Sequence, residues 1–386
     1  MLPLAIPLSW YQLVHERARF AVAIAAVSFA VILMFMEFGF QSALFSSATL
    51  LHEHLTGELF IVDARSTALA NMKQYSRRIL YQARAQDEVQ SVGALYIGFA
   101  SSITPHQENS SRRILVVGTS PADDLIGLPE VTAQRGALSR RDNVLFDRAS
   151  RKEIGPIADD WRLGRHPSLD MGKATLRVSG LFKMGASFSA DGNAIVSDDT
   201  FRHIFPGRRA GAVDIGVVRL RANAPLQTVQ KLLQSQLGSD VRVLTKNQFV
   251  QAEQNYWRQT TAIGFIFSIG VALGLVVGAA VVYQILYANV NEHLSEYATL
   301  KAIGYQHAAL SEMVLEQAII LSCAGFLPGL AVSLKLYEMT RDVTGLPMNM
   351  SVSTAAFVVA LVTVMCCVSA MLAAERLRKA DPASVF

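Results

Sequence analysis

Apolar positions in this chain follow two patterns: four long runs with almost no charge, and, between the first two, a stretch in which short apolar runs alternate with polar ones. The long runs occupy 18–40, 261–287, 313–337 and 351–374. Each is long enough to cross a bilayer, which takes about 20 apolar residues at roughly 1.5 Å of rise per residue. Hydrocarbon offers no partner to loose backbone amides, so all four are predicted as transmembrane helices. From Phe20 to Phe40 the only charge is Glu37, near the far end, and Glu316 and Lys335 also lie close to span ends. The spans are thus poor in the mid-membrane ionisable groups that a hydrophilic pathway would be expected to need.

Residues 1–17 place Leu2, Leu4, Ile6, Leu8, Trp10 and Leu13 among polar neighbours, which predicts a short interfacial helix with Trp10 and Tyr11 at headgroup level. The first apolar run is longer than a signal-peptide core. Glu37 and Gln41 also separate it from the small residues Ser46, Ser47 and Ala48, so a retained span is expected.

The long segment 41–257 reads as an α+β domain with two lobes. Strand-like runs fall at 59–62, 89–99, 113–118, 144–147, 174–182, 194–197, 213–220 and 241–244. Helical periodicity falls at 67–84 and at 226–237, the latter opened by Pro225 and closed by Gly238. Residues 41–56 and 247–258 are expected to extend the first and second spans as helical stalks that pair with each other.

Composition sharpens this division. The 386 residues are 51% hydrophobic with a mean hydropathy of +0.30 and a net charge of +4. Segment 41–257 holds 26 of the 35 Lys/Arg and 21 of the 31 Asp/Glu, so the basic excess belongs to it. Disorder, a collagen-like fibre and a disulfide scaffold are excluded by such a composition. With both termini inside, Arg17, Arg19, Lys301, Arg376, Arg378 and Lys379 flank the spans on the cytoplasmic side and only Arg341 sits in the short 338–350 loop outside. That orientation makes 288–309 a cytoplasmic loop and 375–386 a cytoplasmic tail. It exports 41–257 to the periplasmic side of an inner membrane.

Little in the exported segment suggests catalysis. His52 and His54 are two apart, which on a helix points them about 200° from each other, so they are expected as solvated polar residues rather than a metal pair. Asp123-Asp124, Asp159-Asp160 and Asp198-Asp199 are expected as turn and cap residues. The pairs Arg112-Arg113, Arg140-Arg141 and Arg208-Arg209 suit a solvated face or an acidic periplasmic partner, and nucleic acid is not expected. Cys323, Cys366 and Cys367 all lie in spans, as packing residues. A phosphate-binding loop needs Gly-Lys followed by Ser or Thr, and the only Gly-Lys, Gly172-Lys173, is followed by Ala. No catalytic residue, metal site or cofactor is therefore expected in this chain, and ATP and Mg would be bound by another polypeptide.

The cytoplasmic loop carries the most informative string. From Glu292, the residues Leu294, Tyr297, Leu300 and Ile303 recur at helical spacing before Gly304, with Glu292 and Glu296 favoured by the dipole at the N-terminal end. The apolar stripe of this short helix could lie on the membrane surface or fill a groove on a partner. The string Glu296-Tyr-Ala-Thr-Leu-Lys-Ala-Ile-Gly-Tyr305, followed by Glu312 and Glu316, resembles the hallmark of FtsX/MacB-type ABC transporter permeases. The four-span layout with one large insert is also similar to theirs. Pro7-Leu-Ser-Trp-Tyr-Gln-Leu13, Phe35-Met-Glu-Phe-Gly-Phe-Gln41, Ser66-Thr-Ala-Leu69 and Asp191-Gly-Asn-Ala-Ile-Val-Ser197 resemble the DevC group of cyanobacteria.

This resemblance implies a homodimeric permease, not itself an enzyme, whose loop residues Glu292, Glu296, Tyr297, Leu300, Lys301, Ile303 and Gly304 contact a separate ATPase of DevA or MacB type. It further implies a DevB-like periplasmic adaptor, a TolC-like outer-membrane channel, membrane lipid as a partner, and export of a lipid-like or amphiphilic cargo by mechanotransmission. A non-transporting FtsX-like signalling subunit and a lipoprotein-releasing permease remain open as alternatives. Gly270, Gly274 and Gly278 repeat every four residues in the second span and mark a close helix contact, either across a dimer or within the chain.

Overall fold

The computed structural model describes Trp10 and residues 17–103, 111–172, 174–260, 262–303 and 306–379. The predicted 1–17 helix therefore lies largely outside the described residues. The chain divides into a membrane unit and an exported unit, the latter formed mainly by residues 43–262.

In the membrane unit, four helices are long and apolar enough to cross a bilayer: α1 (Arg17–Ala48), and three that follow the exported unit in the chain. Its packing is built on α1. Ala23, Val27, Ala30, Val31, Met34 and Phe35 are all buried, an almost continuous apolar face along one side. The helix of residues 262–292 meets that face at glycines. A side chain on Gly278 would collide with Ala30, and one on Gly270 with the Glu37 carboxylate. Residues 307–344 form a helix that meets it at Gly325 and Gly329, where Val27 and Val31 occupy the space a Cβ would need. Two hydrogen bonds fix the register: the Ser28 hydroxyl donates to the Gly325 carbonyl at 2.8 Å, and the Tyr337 hydroxyl donates to the Phe35 carbonyl. The fourth helix, 352–379, places Phe357 against Phe38, with ring centroids 5.6 Å apart.

The exported unit begins with the end of α1 and a short helix α2 (Leu50–His54), then builds around β1 (Leu59–Asp63), β2 (Tyr75–Ser76), α3 (Arg78–Arg84), β3 (Val89–Ile103) and β4 (Arg112–Thr119). There follow α4 (Pro129–Gln134), β5 (Asn143–Asp147), α5 (Ile157–Arg162), β6 (Ser168–Met171), β7 (Ala174–Phe182), β8 (Gly192–Ser197) and α6 (Asp198–Ile204). The last part holds β9 (Ala212–Val213), β10 (Ile215–Leu220), α7 (Leu226–Leu237), β11 (Val241–Thr245) and α8 (Lys246–Asn255). α8 is opened by a capping box between Thr245 and Gln248 and continues as a π-helical turn over Tyr256–Thr260.

Nine strands form one sheet in the order β11-β1-β10-β3-β4-β8-β5-β7-β6, with β6 also pairing β3. The additional pairing closes β3-β4-β8-β5-β7-β6 into a ring, while β11-β1-β10-β3 remains an open antiparallel sheet. The fifteen residues of β3 are shared by both lobes, which is why neither can be cut away from the other. The open sheet buries Leu59, Ile61 and Val218 against Leu80 of α3 and Val229 and Leu233 of α7. The closed lobe buries Ile114, Val116, Phe146, Leu176 and Val178 with Phe201 of α6.

Several expectations are corrected here. The stretch 67–84 is not one helix: it is a 3-10 turn at 69–71, the strand β2 and then α3, because Tyr75 pairs with Val213 far along the chain. His52 is not solvated; its side chain is 1% exposed. Arg208 is not on a solvated face either, since its guanidinium grips the buried Asp214 carboxylate at 2.5 Å and donates to the Ile97 carbonyl at 3.0 Å. The carboxylate pairs sit where turns and helix starts need them: Asp198 and Asp199 open α6 behind the Ser197 cap, and Asp159 and Asp160 lie in the first turn of α5.

Candidate coupling site

The loop singled out by its sequence joins α9 (Ala262–Glu292) to α11 (His307–Thr344) through the short helix α10 (Leu294–Ala302); the last helix of the chain is α12 (Val352–Lys379). Glu292 belongs to the end of α9 rather than to the start of α10, and its carboxylate is ion-paired with Arg19 of α1. His293 stands between the two helices and pairs with Glu296 at 3.1 Å. The two helices are separated by His293, whose φ of −94° and ψ of 16° depart from helical values, while its carbonyl accepts from the Tyr297 amide at 3.0 Å in the first turn of α10.

Within α10 the candidate residues separate. Tyr297 is 2% exposed, and its hydroxyl shares a hydrogen bond with the buried Gln317 of α11. It therefore anchors α10 to the helix that follows. Glu296 and Thr299 face outward, Lys301 is half-buried, and Ile303, the residue that ends the helix, is 72% exposed. Leu300 lies in the last turn of α10, and Gly304 lies outside the described residues. Glu312 is exposed and Glu316 half-buried, both inside α11.

Among the described residues, α10 is tied to α11 through Tyr297 and Gln317, and the end of α9 is tied to α1 through Glu292 and Arg19. Ile303, at the end of the helix, is exposed while Tyr297, the aromatic residue of α10, is buried.

Gly270, Gly274 and Gly278 all have close neighbours within the chain. Gly274 lies against Leu33 and Met34 of α1, and Gly278 lies against Ala30 of α1 and Met365 of α12. The Ser369 hydroxyl of α12 donates to the Ala279 carbonyl at 3.0 Å beside them. The sequence reading missed a second pair, Gly325 and Gly329, which has the same four-residue spacing and the same closeness to α1. That spacing was available as a signal, although Pro328 interrupts it.

Residues 260–382 match the FtsX-like permease C-terminal family. The matched residues comprise α9 to α12 with the α10 loop inside them, and they make up less than half of the chain. Outside the matched residues, the exported unit gives weaker likenesses. The periplasmic region of MacB from Actinobacillus actinomycetemcomitans aligns at 14% identity over 53% of this chain and 95% of its own, with a TM-score of 0.35. The extracellular domain of the noncanonic ABC-type transporter YknZ from Gram-positive bacteria aligns at 12% identity over 49% and 99%, with a TM-score of 0.32. Scores this low carry no weight for function. No curated protein matches the chain.

Proposed function

We propose that this chain is the permease subunit of an ABC-type transporter of the FtsX/MacB kind, coupled through α10 to an ATPase on a separate polypeptide. The observation that carries this reading is the position of α10 inside the residues that match the FtsX-like permease family, with Glu296 and Ile303 outward and Tyr297 fastened to α11. A separate ATPase is favoured because these residues hold no Gly-Lys-Ser or Gly-Lys-Thr with which to cradle phosphates. The loop belongs on the cytoplasmic side, where ATP is found, by the distribution of Lys and Arg around the spans.

The finer reading is a DevC-like homodimer working with a DevB-like adaptor and a TolC-like channel, moving a lipid-like cargo by transmitted force. Two features support force over a hydrophilic path. The spans carry few ionisable groups, and their closest contacts are glycine and serine packings rather than a polar channel. Purification of the intact protein from its native membrane, with mass spectrometry of the co-purifying chains, tests the whole assignment. An ATPase with a phosphate-binding loop, together with a periplasmic adaptor, is the expected company. Recovery of a cell-wall hydrolase in place of the adaptor would turn the reading towards a signalling subunit, and recovery without any ATPase would overturn it.

A further inference from the structure

A broad cleft in the exported unit lies on the closed lobe. Its floor is one face of β7, where Thr175, Arg177 and Ser179 alternate with the buried Leu176 and Val178. On one side stands the segment 140–143, whose Asn143 is the register partner of Arg177. On the other stands Trp161 at the end of α5, with His166 set edge-on to its ring at 5.3 Å between centroids. The cleft is open to solvent and offers about 660 Å³, within the roughly 300–1,000 Å³ typical of small-molecule sites.

Charge in the cleft is mostly basic, with Asp142 the one carboxylate among its lining residues. Arg140, Arg141 and Arg177 line it. The nearby carboxylates are already engaged: Asp142 with His203 at 2.8 Å, Asp159 with Arg162 at 3.1 Å and Asp160 with Arg165 at 3.1 Å. Arg141 reaches Asp142 and Asp199 only at 3.9 and 4.0 Å. Arg140 and Arg177 have no carboxylate within 4.0 Å among the described residues. Other arginines of this lobe are paired, Arg148 with Glu130 at 2.6 Å and Arg151 with Asp191 at 3.3 Å. The turn that brings Arg140 and Arg141 to the rim depends on Asp142, whose φ of +62° is left-handed. It is held there by the Thr200 hydroxyl, which accepts from the Asp142 amide at 3.0 Å, and by the Arg177 amide, which donates to the Asp142 carbonyl at 2.8 Å.

The uncharged lining has its own chemistry. The Thr175 and Ser179 hydroxyls and the Asn143 amide all donate inward, to Asp170, the Arg177 carbonyl and the Ala137 carbonyl. That leaves their oxygens free to accept from a ligand hydroxyl. The indole of Trp161 supplies a flat apolar wall. We propose that this cleft binds a small acidic sugar, its anionic group held between Arg140 and Arg177, its hydroxyls on the β7 floor and its ring against Trp161. The proposal does not depend on the transport reading: it rests on the closed lobe alone.

Calorimetric titration of the full-length, detergent-solubilised protein with glucuronate and glucose 6-phosphate, against glucose and inorganic phosphate, tests it. Both acidic sugars are expected to bind, to weaken with added salt, and to alter tryptophan fluorescence in a way that Trp161→Phe removes. Arg140→Gln and Arg177→Gln should each weaken binding about tenfold, as expected for loss of a charge-assisted bond. Arg209→Gln, outside the cleft, should leave binding unchanged. Failure of both acids to bind would overturn the proposal. So would phosphate binding as tightly as glucose 6-phosphate, or Arg209→Gln weakening binding as much as the cleft variants. Unchanged circular dichroism in the arginine variants keeps a folding defect from being mistaken for lost affinity.

Discussion

In the exported unit the interior is filled by large side chains, with Phe60, Phe182, Phe201, Leu95 and Leu145 among the most completely buried. In the membrane unit Met34 and Phe35 are as deeply buried, yet the closest helix approaches are at Gly270, Gly278, Gly325 and Gly329, joined by serine hydroxyls. The difference follows from the solvent each unit folds in. Water rewards removal of apolar area, so large side chains contribute most to the exported core. Lipid tails are as apolar as leucine, so the membrane helices gain chiefly from close van der Waals contact and from hydrogen bonds between helices. One chain thus uses two packing rules, and the changes that break one should be tolerated by the other.

The largest effect is expected from Phe60→Ala in the open sheet. Truncating a fully buried phenylalanine costs about 3–5 kcal/mol, which thermal unfolding of the exported unit would register. Next is overpacking in the membrane unit. A Cβ on Gly329 would lie 2.8 Å from the Val31 Cβ and 3.0 Å from the Ser28 carbonyl, so Gly329→Leu must separate α11 from α1, at about 1–3 kcal/mol. Gly207→Ala, where nothing lies within 4 Å, should stay within about 0.5 kcal/mol. Equal losses in the two glycine variants would refute the close-contact account.

A third test uses a buried pair of ionisable side chains in the exported unit. His52 of α2 stacks on Phe249 of α8, 4.2 Å between ring centroids, and lies 3.7 Å from Glu253, itself 3% exposed. Burial pushes the His52 pKa down from 6.5 to about 3. Burial pushes Glu253 up from 4.5 to about 7, against the Trp257 indole and Leu69 amide, which donate to it at 2.9 and 2.8 Å. The signs are opposite. His52 takes up a proton on unfolding, so its support is present above pH 6.5 and lost as pH falls towards 3. Glu253 releases one on unfolding, so its support is present below pH 4.5 and lost as pH rises through 7. Between pH 4.5 and 6.5 the two slopes cancel. His52→Leu should expose the glutamate slope, with stability falling from pH 4.5 to 7, and Glu253→Gln should expose the histidine slope, with stability falling below pH 6.5. Melting curves across this range check both, and a flat profile in either variant would contradict the pairing. Apart from the Gly207 control, the smallest effect is expected for Ser369→Ala, which removes one bond from α12 to α9, at about 0.6 kcal/mol.

Much of this architecture could be read from sequence, for reasons that differ by element. β7 and α7 fall on the predicted residues because alternation in one and a Pro225-to-Gly238 frame in the other are local signals. The four spans were equally plain, length and apolarity being enough. The stretch 67–84 misled because its spacing suits a helix, while the pairing of Tyr75 with Val213 is a long-range event invisible to periodicity. β6 was missed because its four residues, just after Pro167, carry too short a pattern; its place between β7 and β3 is set by ring closure. The burial of His52 and the pairing of Arg208 with Asp214 are likewise tertiary facts. At the coupling loop, the spacing located the helix, but which residues faced outward depended on the Tyr297–Gln317 bond across to α11.

The central claim is that the outer face of α10 receives the force of a separate ATPase. It is tested most directly by reconstituting the full chain with its co-purified ATPase and comparing nucleotide hydrolysis with the unaltered protein and with Ile303→Asp. Stimulation of hydrolysis by the unaltered chain, and loss of most of it in a variant that keeps its helical content and melting temperature, is the predicted result. Stimulation unchanged by a charge at this exposed position would contradict the account.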